Sequence, residues 1–167
     1  MGVHVDEESV IKANAQFWEQ MLAMTLEHVP VETEVCVGER HLLGYVHLSG
    51  TWNGKIEVRL TDKLALSATA AMLMMPIETV AEADTLDATK EIANMVAGTI
   101  KSALPRPCSM TVPESAVEAD SLCVPGRTEN TLTVAFRHAD GEMMVRVWEQ
   151  EADAAAAPAL TETFQPA

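Results

Sequence analysis

The sequence predicts a two-layer α/β (α+β) protein, a mostly antiparallel sheet covered on one face by three helices. Three observations carry that prediction. Apolar residues recur at helical spacing in three stretches, each closed by a proline (Pro30, Pro76, Pro105). Two pairs of segments alternate at period two around glycine-containing turns, as hairpins do. No apolar run reaches the ~18–20 residues of a membrane span. The chain has 167 residues, read as one domain over 1–150 and a flexible, acidic Ala/Pro-rich tail over 151–167.

Asp6 or Ser9 caps the first helix, which runs to about His28. Val10, Ile11, Phe17, Trp18, Met21, Leu22, Leu26 and Val29 form the broad stripe of a helix lying on a sheet. A short strand follows over 32–37. Segments 42–50 and 55–61 then form a hairpin around Trp52-Asn53-Gly54. A two-residue Asn-Gly turn would set Leu48 opposite Arg59. A three-residue loop sets Leu48 opposite Val58 and Val46 opposite Leu60, and is the expected one. Asp62 caps a second helix to about Met75, with Leu64, Ala65, Ala68, Ala71, Met72 and Met75 inward. The methionines at 72, 74 and 75 read as gap-filling core.

The third helix spans 84–104, capped by Asp84 and stopped by Pro105 and Pro107. A capping box from Thr79 and Glu82 would start it earlier. Its inner stripe is Leu86, Ile92, Met95, Val96, Ile100, Ala103 and Leu104. Asp87, Glu91, Asn94, Gly98 and Lys101 follow a second stripe at steps of three and four. Glu91 and Asn94 are therefore side by side, where a carboxylate can hold a cation and an amide can position a water. Beyond it lie a strand at 109–112, an acidic loop over 113–127 with a short edge strand at 122–124, and a second hairpin. There Asp140-Gly141 is the turn signal, pairing Phe136 with Val145 and Val134 with Val147.

Composition excludes several functions. With 25 acidic and 11 basic residues the formal charge is −14, which phosphate backbones would repel, so no nucleic-acid partner is expected. The acidic N-terminus lacks the basic start of a signal peptide, and a cytoplasmic protein with no membrane association is expected. Three widely separated cysteines without a Cys-x-x-Cys read as buried reduced thiols, with neither a disulfide framework nor a zinc site. His41 and His47 share a strand face but lack a third ligand nearby, so no metal site is expected.

Asp87-x-x-x-Glu91-x-x-Asn94, followed by Met95 and Gly98, resembles the signature helix of the CheC/CheX/FliY chemotaxis phosphatases. The motif occurs once, and the run Glu91-Ile-Ala-Asn-Met-Val-Ala-Gly-Thr-Ile-Lys is most similar to the CheX branch. The first helix holds Asn14, but Ile11 stands where a second motif's glutamate would be. The resemblance covers about residues 42–148 and implies a CheC/CheX-like fold. It further implies hydrolysis of the aspartyl phosphate on a CheY-type receiver domain. Asn94 would position the attacking water and Glu91 would pair with a receiver lysine. Asp87, Gly98 and Lys101 are weaker candidates for the docking surface. No cofactor of the chain's own is implied, Mg²⁺ being carried by the receiver, and a homodimer is expected. The alternative is a non-catalytic interaction module of the chemotaxis or flagellar switch machinery.

Overall fold

The computed structural model describes residues 5–150, so the expected tail over 151–167 lies outside the described residues. In chain order the elements are α1 (Glu7–Leu22), β1 (Glu27–Val29), β2 (Glu34–Val37), β3 (His41–Gly50), β4 (Gly54–Thr61), α2 (Asp62–Leu73) and a 3-10 turn at Ile77–Thr79. Then come α3 (Glu82–Ser102), β5 (Cys108–Met110), β6 (Glu114–Glu118), β7 (Leu122–Pro125), β8 (Thr131–His138) and β9 (Gly141–Glu149). Seven strands form one antiparallel sheet in the order β1-β8-β9-β4-β3-β5, with β6 also pairing β3. The two-layer α/β expectation holds. Ile56, Val58 and Leu60 of β4 and Val134 of β8 meet Phe17, Trp18, Leu64, Ile92 and Val96 from the three helices in one core.

Local chemistry explains most boundaries. Asp6 caps α1 by accepting from the Ser9 N–H at 2.8 Å. The helix stops at Leu22, six residues short of expectation, because Ala23 turns left-handed (φ 54°) and the Met24 N–H donates to the Trp18 carbonyl at 3.0 Å. The freed segment becomes β1 on the sheet edge. Asp62 does not cap α2. It is the first helical residue and pairs with Arg40, whose guanidinium also reaches Glu82 at the start of α3.

Both hairpin registers differ from expectation by an even number of residues, so each side chain keeps its face. In the first, Leu48 pairs with Gly54 and Val46 with Ile56. Trp52, only 2% exposed, is drawn into the core, and Asn53 closes the widened loop by bonding both the N–H and the C=O of Gly50 at 3.1 Å. In the second, Ala139 and Asp140 form the turn, and Phe136 pairs with Met143. Gly141 (φ 151°) is needed there as the first residue of β9, since a Cβ would lie 2.1 Å from Thr61 Oγ1.

The other sheet face carries a feature absent from the prediction. Strand β2 pairs with β7, which is not an edge of the main sheet, and this ribbon lays Val35, Val37 and Val124 on Met144. Cys36 and Cys123 face each other across it and are joined in a disulfide, both exposed, so the expectation of buried reduced thiols fails for this pair. Cys108 alone is a free thiol, half-buried. On the same face of the main sheet, Arg59 donates to buried Glu57 at 2.7 Å and to His41 Nε2 at 2.8 Å. That leaves His41 Nδ1 to donate to the Gly38 carbonyl at 3.1 Å. Arg146 approaches Glu57 at 3.8 Å, and burial lowers its pKa, with Glu57 acting in the opposite direction.

Candidate functional site on the third helix

Helix α3 has 21 residues, about 31 Å at the ~1.5 Å rise of an α-helix. It starts two residues earlier than Asp84. Ala81 is the N-cap residue, and the Asp84 carboxylate accepts from the Ala81 N–H at 2.9 Å. A carboxylate there also suits the helix dipole. Thr85, Thr89 and Thr99 turn their hydroxyls onto carbonyls of the preceding turn, so these polar side chains cost the helix little.

The inner face buries Ala88, Ile92, Ala93, Val96, Ala97 and Ile100. Leu86 and Met95 pack at its margin, whereas Ala103 is exposed. Gly44 of β3 lets the helix come close: a Cβ there would sit 2.6 Å from the Thr89 carbonyl oxygen. Backbone therefore rests on backbone half a turn from Glu91, which seats that part of α3 firmly on the sheet.

The second stripe faces outward as expected. Asp87 and Glu91 are exposed, and Asn94, Gly98 and Lys101 are half-buried along the same line. Asp87 is engaged with Lys90 at 3.4 Å, the usual fate of an acid and a base three apart on a helix. Among the described residues, the side chains of Glu91 and Asn94 have no hydrogen-bond or ion-pair partner. A neighbouring carboxylate and amide left unused by the described residues can bond a partner. Asn14 of α1 is the opposite case. It is fully buried and accepts from Trp18 Nε1 at 3.1 Å, so it serves the core and offers no second site.

Beyond Asn94 the stripe runs into a cleft of about 440 Å³ lined by Gly98, Lys101, Ser102, Arg106 and Cys108 among others. Sequence reasoning singled out Lys101 but not Arg106, because only the turn after Leu104 brings that arginine to the helix. The Met group is also placed differently from expectation. Met72 packs on the core, but Met74 is 91% exposed and Leu73 and Ile77 are exposed beside it in sequence. Metal-ligand spacing occurs once among the described residues, at Glu34, Cys36 and Cys123, where the two sulfurs are bonded to each other and are not thiolates. His41 and His47 share a strand face but His41 is held by Arg59 and Gly38. No described helix is long and apolar enough to cross a membrane.

Residues 42–137 match the family model described as chemotaxis phosphatase CheX. None of the curated proteins matches the sequence. Among solved structures, the chain is similar to CheX from Vibrio vulnificus, with TM-score 0.72 and 17% identity over 89% of this chain and 100% of that one. CheX from Desulfovibrio desulfuricans gives 0.67 and 20% over 86% and 97%. The CheX–CheY–BeF3–Mg²⁺ complex from Borrelia burgdorferi gives 0.59 and 19% over 89% and 100%. At such identities the structures speak for the fold, while the family match covers more than half of the chain, including the whole of the Asp87–Lys101 stripe. The chain belongs to the CheX family, within the CheC/CheX/FliY chemotaxis group.

Proposed function

We propose that this protein hydrolyses the aspartyl phosphate of a CheY-type receiver domain, using Asn94 to position the attacking water and Glu91 to dock. The observation that carries the reading is the unpartnered Glu91–Asn94 pair on the outer face of α3. Family membership supports it, as does the similarity to a CheX bound to a beryllofluoride-activated CheY with Mg²⁺.

The chemistry asks little of the chain. A water oxygen bonds to phosphorus as the bond to the aspartyl oxygen breaks, yielding inorganic phosphate and a free carboxylate. Phosphoryl transfer depends on in-line geometry and on neutralising the phosphoryl oxygens, which the receiver's Mg²⁺ does. What remains is to hold the water. The Asn94 amide has an acceptor oxygen for the water's hydrogen and donors for an anionic oxygen, and no charge to repel the phosphate. Glu91, one turn earlier, matches a lysine on the receiver and sets the helix's register. Such positioning contributes roughly 10²–10⁴ in rate. A homodimer belongs to the same proposal, with a light-scattering mass of twice the 18.1 kDa chain.

The test is real-time dephosphorylation of phosphorylated CheY-type receivers from the same cell. Wild type accelerates the decay, Asn94→Ala loses most of the acceleration yet still binds, and Glu91→Ala binds weakly. A wild type that binds receivers without accelerating decay makes the domain a docking module instead.

A further inference from the structure

We propose that the cleft between the last turns of α3 and segment 104–109 is a second docking element, receiving an acidic segment of the receiver beside its phosphorylation site; this rests on the function proposed above. Three observations meet there.

The first is charge. On a chain of net charge −14, a surface that approaches an aspartyl phosphate needs local cations. Among the described residues, six of the eleven basic residues, Arg40, Lys55, Arg59, Lys63, Lys90 and Arg146, are held in ion pairs. Lys101 and Arg106 are in no ion pair among the described residues, and both line this one cleft. Lys101, in the last helical turn, also suits the helix dipole, but Arg106 lies beyond the helix, so the dipole does not account for it.

The second is Gly98. A glycine inside a helix costs about 1 kcal/mol relative to alanine. Packing among the described residues does not require it, since a Cβ at Gly98 would meet nothing beyond its own helix backbone within 4 Å. Gly44 shows what a required glycine looks like. The missing side chain at 98 instead leaves the cleft open where it borders the helix.

The third is continuity. Gly98 lies one turn beyond Asn94 on the same stripe, so a partner seated on Asn94 extends over the cleft. The occupant follows from the partner's chemistry. Two cations without an ion-pair partner among the described residues, Lys101 and Arg106, call for a carboxylate-bearing occupant, and the receiver seated on Asn94 is the partner that reaches the cleft.

The test is a titration of beryllofluoride-activated CheY-type receiver with wild type, Lys101→Glu/Arg106→Glu, and a control of equal charge change, Lys12→Glu/Arg137→Glu. The cleft variant is expected to raise Kd about tenfold or more over the control and to bind with a shallower salt dependence. In hydrolysis its loss falls mainly in KM. Gly98→Gln, which fills the cleft without changing charge, is expected to weaken binding as well, with its thermal melt confirming the fold. Equal Kd for the cleft and control variants overturns the proposal. Wild type that binds but does not hydrolyse refutes the phosphatase function while the two Kd values still decide the cleft. Wild type that binds no receiver overturns both.

Discussion

Gly98 and Gly44 predict opposite responses to the same added methyl group. At Gly98 the new Cβ enters open space within a regular helix, with no described atom beyond the helix's own backbone inside 4 Å. The Gly98→Ala change then removes the backbone-entropy cost of glycine and is expected to stabilise the fold by about 0.5–1 kcal/mol. For a domain of this size that is roughly 1–4 °C in Tm. At Gly44 the Cβ would lie 2.6 Å from the Thr89 carbonyl oxygen and 3.1 Å from its carbon, both main-chain atoms that cannot rotate away. Gly44→Ala must push α3 off β3, and overpacking of this kind costs about 1–3 kcal/mol or more. Urea unfolding of both variants, with m unchanged from wild type, gives the two signs directly. A destabilised Gly98→Ala would mean that the cleft is occupied by the chain itself. A neutral Gly44→Ala would mean that α3 does not rest on the sheet at that point. With the cleft reading added, Gly98→Ala should be more stable yet no better a binder of the receiver.

Three further outcomes are expected. Asp6→Ala removes the cap of α1 and costs about 1 kcal/mol at neutral pH. Because the bonds from Ser9 lower the pKa of Asp6 below 3.8, its contribution is full above the unfolded carboxyl's pKa and fades as pH falls through the lowered value, so wild type and variant converge in acid urea titrations. Reducing the Cys36–Cys123 bond frees a loop whose ends are 87 residues apart and lowers stability by about 2–4 kcal/mol, measured as a fall in urea midpoint with dithiothreitol; an unchanged midpoint would deny the bond any role in the fold. Burial first and Lys55 second depress the pKa of His47, so its NMR titration should fall below 6.5 and move upward in Lys55→Met; this histidine favours the fold above its unfolded pKa and opposes it as pH drops.

The site helix was legible because its two stripes repeat over many turns, and a long amphipathic period survives errors at the ends. The losses came where tertiary contacts overrode local signals. Residues 23–29 continue the apolar stripe of α1, and nothing in Ala23 announces a left-handed stop. Strand β6, Glu114–Glu118, reads as an acidic loop because its pairing comes from the backbone of β3 and not from its own composition. Asn53-Gly54 and Asp140-Gly141 are sound turn signals, yet the burial of Trp52 and the closeness of Gly141 to Thr61 moved both turns. Cys36 and Cys123 lie too far apart in sequence for spacing to pair them, and only the β2–β7 ribbon brings them together. Glu91 and Asn94 needed no such long-range information, since helical geometry alone makes them neighbours.

The same disulfide makes the middle of the chain a covalent ring. From Cys36 round to Cys123 it encloses β3, β4, α2, α3, β5 and β6, and with them the entire motif stripe. A protease that cuts once inside this ring, for example at the exposed 3-10 turn between α2 and α3, leaves two fragments that still travel as one species until the sulfurs are reduced. A cut in α1 or β9 sheds its piece from the covalent unit at once. Nicking therefore sorts the molecule into a ring that carries the motif stripe and two arms that complete its core.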